Sequence, residues 1–430
     1  MGTSIRCTHF FLGKIMKHKK ITAILSQILL LCSLTTLSKA CEEKSFWESW
    51  YPNGSFKGFG TPTEKLDVAK AQYHLADNYF KGNHLTKDYT RAVSLYQLAA
   101  DNGVERAHFK LGLMNHYGKG KLKNLTEAYN HYSKAAKNNI PEAQFNLGLM
   151  NRYGLGIKKD LNKAFYWFSK SSDRQLAIDV NGCLYSSDGI VEAQFNLGQM
   201  NHYGLGTTKD MHAAARWYKK AADNEMKEAQ FNLGKLYEKG EGVPYDLEQA
   251  IKYYHFASKQ NLAEAQQNLA QIYHYGPSNI QDHYKAHQLY IKAAQKDVKE
   301  AFFNLGLMAQ YGRGATQNYV SAHSYYLKAI HQNIPETYLN LGFLHHYGLG
   351  TPVDDKKAFE YFSKASAKGL LQADYHIGIH YRDGRWVMKD NNKANYWFDK
   401  VKNSGLIDPE LLPENLSIRE PDDVQLYVAN

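Results

Sequence analysis

Two helical periods alternate along this chain. From Glu192 to Ala222, Ala193, Leu197 and Gly198 stand at relative positions 0, 4 and 5, and Ala214, Tyr218 and Ala222 follow at i, i+4 and i+8. Both spacings place small and apolar residues on one face of an α-helix. The first pattern is anchored again at Ala71, Ala107, Ala143, Ala229, Ala265 and Ala301, at Thr337 and at Ala373. Each step is 36 residues except that from Ala143 to Ala193, which is 50 and carries 14 extra residues. A period of this length predicts an all-α fold: an α-solenoid of about nine 36-residue helix-turn-helix units, stacked as a right-handed superhelix with a concave face.

The residues inside the period explain why the unit is two helices. Glycine at the sixth place of the first helix costs roughly 1 kcal/mol against alanine, so its reuse points to a close approach by a neighbouring helix. A Gly-x-Gly element then ends the helix, as at Gly118 and Gly120, Gly204 and Gly206, and Gly348 and Gly350. Glycine tolerates the left-handed conformation that closes helices. In the second helix, small, aromatic and small residues recur, as at Ala92, Tyr96 and Ala100 and later at Ala164, Phe168 and Ser172. A lone hairpin cannot bury such faces; stacked neighbours can.

Units with Ala-x-x-x-Leu-Gly, a Tyr-Gly-x-Gly turn and Ala-x-x-x-Tyr-x-x-Ala-Ala resemble Sel1-like repeats, relatives of the tetratricopeptide repeat, of the exported bacterial type. The resemblance runs from about Leu66 to Lys402. It departs from the family eight places after the anchor, where Asn115, Asn151 and Asn201 replace the usual tyrosine that Tyr237, Tyr273 and Tyr381 keep. The sixth copy has Tyr275-Gly276-Pro277-Ser278 and lacks the second glycine, which predicts a reshaped connection.

Outside the repeats, Met16-Lys-His-Lys-Lys20, the apolar run Ile21 to Leu37 and Ser38-Lys39-Ala40 read as a signal peptide over residues 1–40, cleaved after Ala40, with Met16 as an alternative start. A membrane anchor and a lipoprotein processed at Cys41 are the weaker readings; the run includes several polar residues, and Ser38 rather than leucine stands three before the cysteine. Without that segment the formal charge falls from +10 to +4, because it holds six bases and no acid. Nothing then demands nucleic acid. Residues 41–65 are an aromatic-rich segment with Phe46, Trp47, Trp50, Tyr51, Phe56 and Phe59, read as a cap on the first repeat or as a peptide-like arm. The insertion lies near 175–188 and is read as a loop, and residues 403–430 as a cap with an acidic tail. Cys41 and Cys183 are the cysteines left after cleavage and are a candidate disulfide in an oxidising compartment.

No Gly-x-Ser-x-Gly, His-Glu-x-x-His, phosphate-loop or Cys-x-x-Cys signature occurs. The Gly-x-Gly pairs follow helical patterns, so they read as turns and no cofactor is expected. His116, His202, His274 and His346 share the slot nine places after the anchor, which Arg152, Glu238, Gln310 and Arg382 fill elsewhere. With repeats roughly 10 Å apart, single histidines in separate copies predict no metal site. Seven residues earlier stand Phe109, Phe145, Phe195, Phe231 and Phe303, on the same helix face. The rings read either as packing between first helices or, because first helices line the groove in tetratricopeptide folds, as a protein-binding groove floor. In the second reading the floor is Phe109, His116, Phe145, Arg152, Phe195, His202, Phe231, Glu238, Phe303, Gln310 and His346.

These observations together predict no enzyme but a scaffold for a protein or peptide partner, in the bacterial periplasm or secreted, with no membrane span in the mature chain. The resemblance implies partners among envelope enzymes, sensors or host proteins. Two alternatives come with it: β-lactam or peptidoglycan-fragment hydrolysis, disfavoured by the absence of Ser-x-x-Lys, and an endoplasmic-reticulum adaptor for protein degradation, for which Asn53, Asn124 and Asn415 stand in glycosylation sequons.

Overall fold

The structure is a computed structural model and describes residues 62–83, 85–173, 175–178, 184–187 and 189–404. The leader 1–40, the aromatic stretch up to residue 61, both Cys41 and Cys183, and the tail from residue 405 lie outside the described residues.

Among the described residues eighteen α-helices follow in pairs. They are α1 (Pro62–Lys81) and α2 (Tyr89–Asp101), α3 (Glu105–Tyr117) and α4 (Leu125–Lys137), and α5 (Pro141–Tyr153) and α6 (Leu161–Ser172). After these come α7 (Val191–Tyr203) and α8 (Met211–Asp223), α9 (Lys227–Lys239) and α10 (Leu247–Lys259), and α11 (Ala263–Tyr275) and α12 (His283–Ala294). The series closes with α13 (Lys299–Tyr311) and α14 (Tyr319–Ala329), α15 (Pro335–Tyr347) and α16 (Asp355–Ser366), and α17 (Leu371–Asp383) and α18 (Asn391–Asn403). Within α1 to α8, and again within α9 to α18, each helix packs on the next, the packing of an α-solenoid. Two compact units result: the first holds α1 to α8 with Glu241–Val243, and the second holds α9 to α18.

In seven of the nine hairpins the ring of the second helix lies on a glycine of the first, and Ala76 and Ala270 take that place in the first and sixth. A Cβ on Gly198 would stand 2.5 Å from the Tyr218 ring, and one on Gly342 would stand 2.5 Å from the Phe362 ring. The ring comes so close to the backbone there that only a small residue fits, which is why helix-weakening glycine recurs. Tyr96, Tyr132, Tyr218, Tyr254, Tyr290, Tyr326, Phe168 and Phe362 are in consequence the largest fully buried side chains. Burying each contributes about 1.5–3 kcal/mol. The anchor residues from Ala107 to Ala373, Thr337 included, are buried, whereas Ala71 is exposed. Within a unit, the anchor of one repeat packs against the second helix of the repeat before it, as Ala107 does in the cluster of Ala92, Tyr96 and Ala99. No described hairpin precedes Ala71.

The helix ends repeat as strictly as the core. Second helices are capped by Asp88, Asn124, Asp160, Asp210, Asp246, Asp282, Asn318, Asp354 and Asp390, whose carboxylate or amide oxygen accepts the N–H three residues on. First helices close on a left-handed glycine, such as Gly118 at φ 67° and Gly204 at φ 67°. The next glycine of the pair serves a close approach. A Cβ on Gly206 would collide with the Leu161 carbonyl at the start of α6. The sixth copy is reshaped as its sequence predicts: Gly276 is extended, with φ −69° and ψ 178°, and the Pro277 carbonyl accepts from Ile280 and Gln281.

The insertion is an antiparallel hairpin and not the loop that the sequence alone suggests. Strand β1 (Gln175–Ile178) pairs with β2 (Leu184–Ser187), with Gln175 opposite Ser187 and Ile178 opposite Leu184. Asn181-Gly182 between two short runs is the turn signal that could have indicated it.

Candidate functional site

The Phe109 slot packs inside its own hairpin. Phe109 lies 6.0 Å from Tyr132, Phe145 5.8 Å from Phe168, Phe195 5.8 Å from Tyr218, Phe231 5.7 Å from Tyr254 and Phe303 6.1 Å from Tyr326, all between ring centroids. All five are half-buried. They rest on the buried ring of the second helix and keep one edge open.

The slot seven residues later also turns to that buried ring. The rings of His116 and His202 stand 6.2 Å from Tyr132 and Tyr218, and the ring of His346 stands 6.2 Å from Phe362. Glu238 accepts from the Tyr254 hydroxyl, and Gln310 Oε1 accepts from the Tyr326 hydroxyl at 2.8 Å. Gln310 and His346 are buried, so their side chains serve the core. His116, Arg152, His202 and Glu238 are half-buried. In the hairpin of Arg152 the buried ring is Phe168, which has no hydroxyl, and Arg152 donates to Asn196 of the next first helix. This contact shows that adjacent first helices present the face side by side. Arg106 and Glu142, paired between α3 and α5, show the same.

Burial sets the charge of the slot. His116 is held below the usual histidine range by burial and then by Lys123. His274 is pushed down to about 3 by burial, with His283 and Arg313 adding to it. His116, His274 and His346 are therefore neutral, and the apolar body of the ring is what they present.

The residue directly after this slot is the one that sequence reasoning missed. Tyr117, Tyr153 and Tyr203, the tyrosines of the Tyr-Gly turn, are 63%, 60% and 64% exposed. His116 stacks on Tyr117 at 4.8 Å, His202 stacks on Tyr203 at 4.4 Å, and the Arg152 guanidinium stands 5.4 Å over Tyr153. In the second unit Tyr275 and Tyr347 take the same place, and the Tyr275 hydroxyl donates to Asn304 of α13 at 3.0 Å. In the first unit, then, three exposed rings stand in successive repeats, each held flat by a half-buried histidine or arginine. The fixed position before Gly118, Gly154 and Gly204 was the signal, hidden because the turn explains the glycines without it.

One cluster departs from the sequence expectation of no metal ligands. His346, Asp355 and His380 each bring one ligating atom within 4.8 Å of the others. Sequence spacing alone conceals it, because the three come from α15, α16 and α17.

Among the described residues no helix is long and apolar enough to cross a membrane. The family model described as Sel1 repeat matches nine segments: 69–104, 105–140, 141–176, 191–225, 227–262, 263–298, 300–334, 335–370 and 371–405. A protective antigen present in uropathogenic Escherichia coli strains, which displays an SLR fold, is similar over 84% of this chain and 75% of its own, with 28% identity and a TM-score of 0.67. A Sel1 repeat protein from Oxalobacter formigenes is similar over 73% of this chain and 89% of its own, with 26% identity and a TM-score of 0.51. No curated protein matches the chain.

Proposed function

Since the chain belongs to the Sel1 repeat family, whose members are generally protein-interaction scaffolds and whose fold is typically non-catalytic, we propose that it is an exported bacterial scaffold that binds a partner protein along the first helices. The observation that carries this reading is the row of exposed Tyr117, Tyr153 and Tyr203, each backed by a residue of the adjoining slot. A tyrosine ring supplies a large amphipathic contact at low entropic cost, and its hydroxyl supplies direction. Fixing the ring beforehand lowers the ordering cost of association further. Such a row suits an extended segment of a partner, with the half-buried edges of Phe109, Phe145 and Phe195 beneath it.

The basic and apolar leader supports export to the periplasm or beyond the cell. An envelope enzyme or sensor is the partner class we propose first, and a host protein the second. The similarity to the protective antigen of uropathogenic strains supports that second class.

The test is an affinity capture from solubilised cell envelope and from host-cell extract. The parent is compared with a Tyr117→Ala, Tyr153→Ala, Tyr203→Ala variant and with Tyr166→Ala, a control on the exposed side of α6. A partner held by the parent and the control but lost by the triple variant supports the row. Equal retention by all three removes it as the binding surface.

A further inference from the structure

The ninth repeat breaks the pattern of the others at two places on one helix. Three places after the anchor, Asn146, Asn196, Asn232, Asn268, Asn304 and Asn340 stand in successive copies, but α17 has His376. Seven places after it, repeats two to eight have methionine, leucine or isoleucine, from Met114 to Leu344, but α17 has His380. A third departure lies at the first residue of the second helix, where Tyr89, Leu125, Leu161 and Met211 give way to Asp355 in α16.

Two of these departures meet the slot histidine of α15. The rings of His346 and His380 are 5.2 Å apart, and His346 Nδ1 is 3.7 Å from Asp355 Oδ1. His380 is fully buried, and its Nδ1–H donates to the Arg385 carbonyl at 3.0 Å. That bond fixes the tautomer and leaves the Nε2 lone pair facing inward, where it has no hydrogen-bond partner. A backbone carbonyl on the far nitrogen is the usual outer support of a metal-binding imidazole. Burying an unpaired nitrogen in a slot that methionine or leucine fills elsewhere is costly unless something occupies it. Burial keeps the pair in the neutral, ligating form: His346 is pushed down to about 4 by burial, then by Arg385 and His380, and His380 is also lowered, chiefly by burial.

A cation already reaches the cluster. Arg385 Nη1 donates to His346 Nε2 at 3.0 Å and stands 3.7 Å from Asp355 Oδ1. Its side chain is 43% exposed, so it can leave for solvent without disturbing the core.

We propose that His346, Asp355 and His380 bind one divalent transition-metal ion of the zinc class, and that the Arg385 side chain is the internal cation that the ion displaces. Two imidazoles and a carboxylate suit Zn²⁺, Co²⁺ or Ni²⁺ and leave a fourth position for water. Bonds of about 2.0–2.1 Å set tetrahedral ligand atoms roughly 3.3 Å apart, so from separations of at most 4.8 Å the cluster has to contract by up to about 1.5 Å. Half-exposed Asp355 can supply most of that movement. Bound there, the ion joins both helices of the eighth repeat to the first helix of the ninth. The same slots two repeats earlier hold His274, His283 and Arg313, with Met308 in place of His380. They lack the third donor and serve as an internal comparison.

The test is titration of the chelator-stripped full chain with Co²⁺, read by visible ligand-field absorbance, followed by displacement with Zn²⁺. One tight equivalent is expected. Asp355→Asn, and His380→Met, which restores the residue type of the other repeats, should each weaken it by at least about tenfold, the lower edge of what altering a ligand's partners alone costs. Arg385→Ala should bind as tightly as the parent or more so. A second readout is thermal: Zn²⁺ should raise the melting temperature of the parent and not that of Asp355→Asn. Absence of a tight equivalent in the parent, or unchanged binding in both ligand variants, overturns the site. Loss of binding in Arg385→Ala overturns the displaced-cation role.

Discussion

The Tyr326 hydroxyl donates to Gln310 Oε1 at 2.8 Å, whereas the Tyr290 hydroxyl, whose slot partner is His274, has no hydrogen-bond partner. The two tyrosines occupy the same place in successive hairpins and both are fully buried. They should therefore respond oppositely to loss of the hydroxyl.

Tyr326→Phe strands Gln310 Oε1, and Gln310→Leu strands the Tyr326 hydroxyl. An unpaired buried polar group costs about 1–3 kcal/mol, whereas removing both partners can be nearly neutral. Each single variant should lower the urea midpoint, and Gln310→Leu with Tyr326→Phe should recover most of the loss. Tyr290→Phe removes a group that is already unpaired and should leave stability unchanged or raise it. Equal losses at residues 290 and 326 would show that the hydrogen bond contributes nothing.

Glycine at the sixth place of the first helix can be tested at Gly198. Alanine is the better helix former by roughly 1 kcal/mol, so propensity alone predicts a gain. Its Cβ would stand 2.5 Å from the Tyr218 ring, however, and overpacking of a filled core costs about 1–3 kcal/mol. Packing should win, with a net loss for Gly198→Ala and faster hydrogen exchange concentrated in α7 and α8, since repeats interact with their neighbours only. A stabilised variant would mean that the ring moves aside freely.

The period made the helix pairs, the turns and the buried rings legible, because each repeat states the same rule again. What the period did not reveal are the places where single copies break it. The strand pair of 175–178 with 184–187 belongs to no other copy, and its one sequence signal is the dipeptide Asn181-Gly182. The face shared by Phe195 and His202 was legible from their spacing of seven, but which edge of each ring meets solvent depends on the depth of the second helix below. That depth is set by the Tyr218 contact with Gly198 and not by any local pattern. Tyr203 escaped notice for the opposite reason: it is one residue on from the face, and only the left-handed Gly204 shows that the helix ends with that ring outside.

Phe195 and Tyr203 are thereby separable by experiment. Phe195 is half-buried and rests 5.8 Å from Tyr218, so Phe195→Ala should cost roughly 1–3 kcal/mol, less than the 3–5 kcal/mol of a fully buried ring. Tyr203→Ala removes an exposed ring and should change stability by under about 0.5 kcal/mol. Thermal melts of the two variants check this. Loss of stability in Tyr203→Ala equal to that in Phe195→Ala would make the tyrosine a structural residue.

Histidine pairing sets a pH dependence in the first unit. His108 Nδ1 and His131 Nδ1 are 3.3 Å apart, and both rings are buried. His131 is pushed down to about 4 by burial, then by His108, Lys121 and Lys134, against a small opposing effect of Asp101. His108 is also lowered, by burial and then Lys134, again with Asp101 opposing. The unfolded chain takes up these protons near pH 6.5, whereas the native chain takes up that of His131 only near pH 4 and that of His108 below its ordinary range. Stability from this pair is complete above about pH 6.5 and is lost as the pH falls toward 4. Urea midpoints measured across that window should decline, and His131→Gln should flatten the decline. An unchanged slope in the variant would place the acid sensitivity elsewhere.

The residue four places before the anchor is left-handed in every described repeat after the first. Gly103, Gly189 and Gly369 hold it in three copies, Asn139, Asn261 and Asn333 in three, and Asp297 in one. Glu225, at φ 62°, holds it with a longer side chain that has neither the freedom of glycine nor the local hydrogen bonding of asparagine. The strain of a left-handed residue is about 1–2 kcal/mol, and glycine gives back part of that relief through its looser unfolded chain. Glu225→Gly should then stabilise the second unit by roughly 0.5–1 kcal/mol. Its carbonyl accepts from Gln260 Nε2 at 2.8 Å, a backbone contact that the substitution leaves in place. Glu225→Val should move in the other direction, because a β-branched residue fits the left-handed region worst. A rise in the urea midpoint for glycine and a fall for valine would show that φ governs this position. A fall for both would show that the glutamate side chain itself contributes, through a contact beyond the backbone.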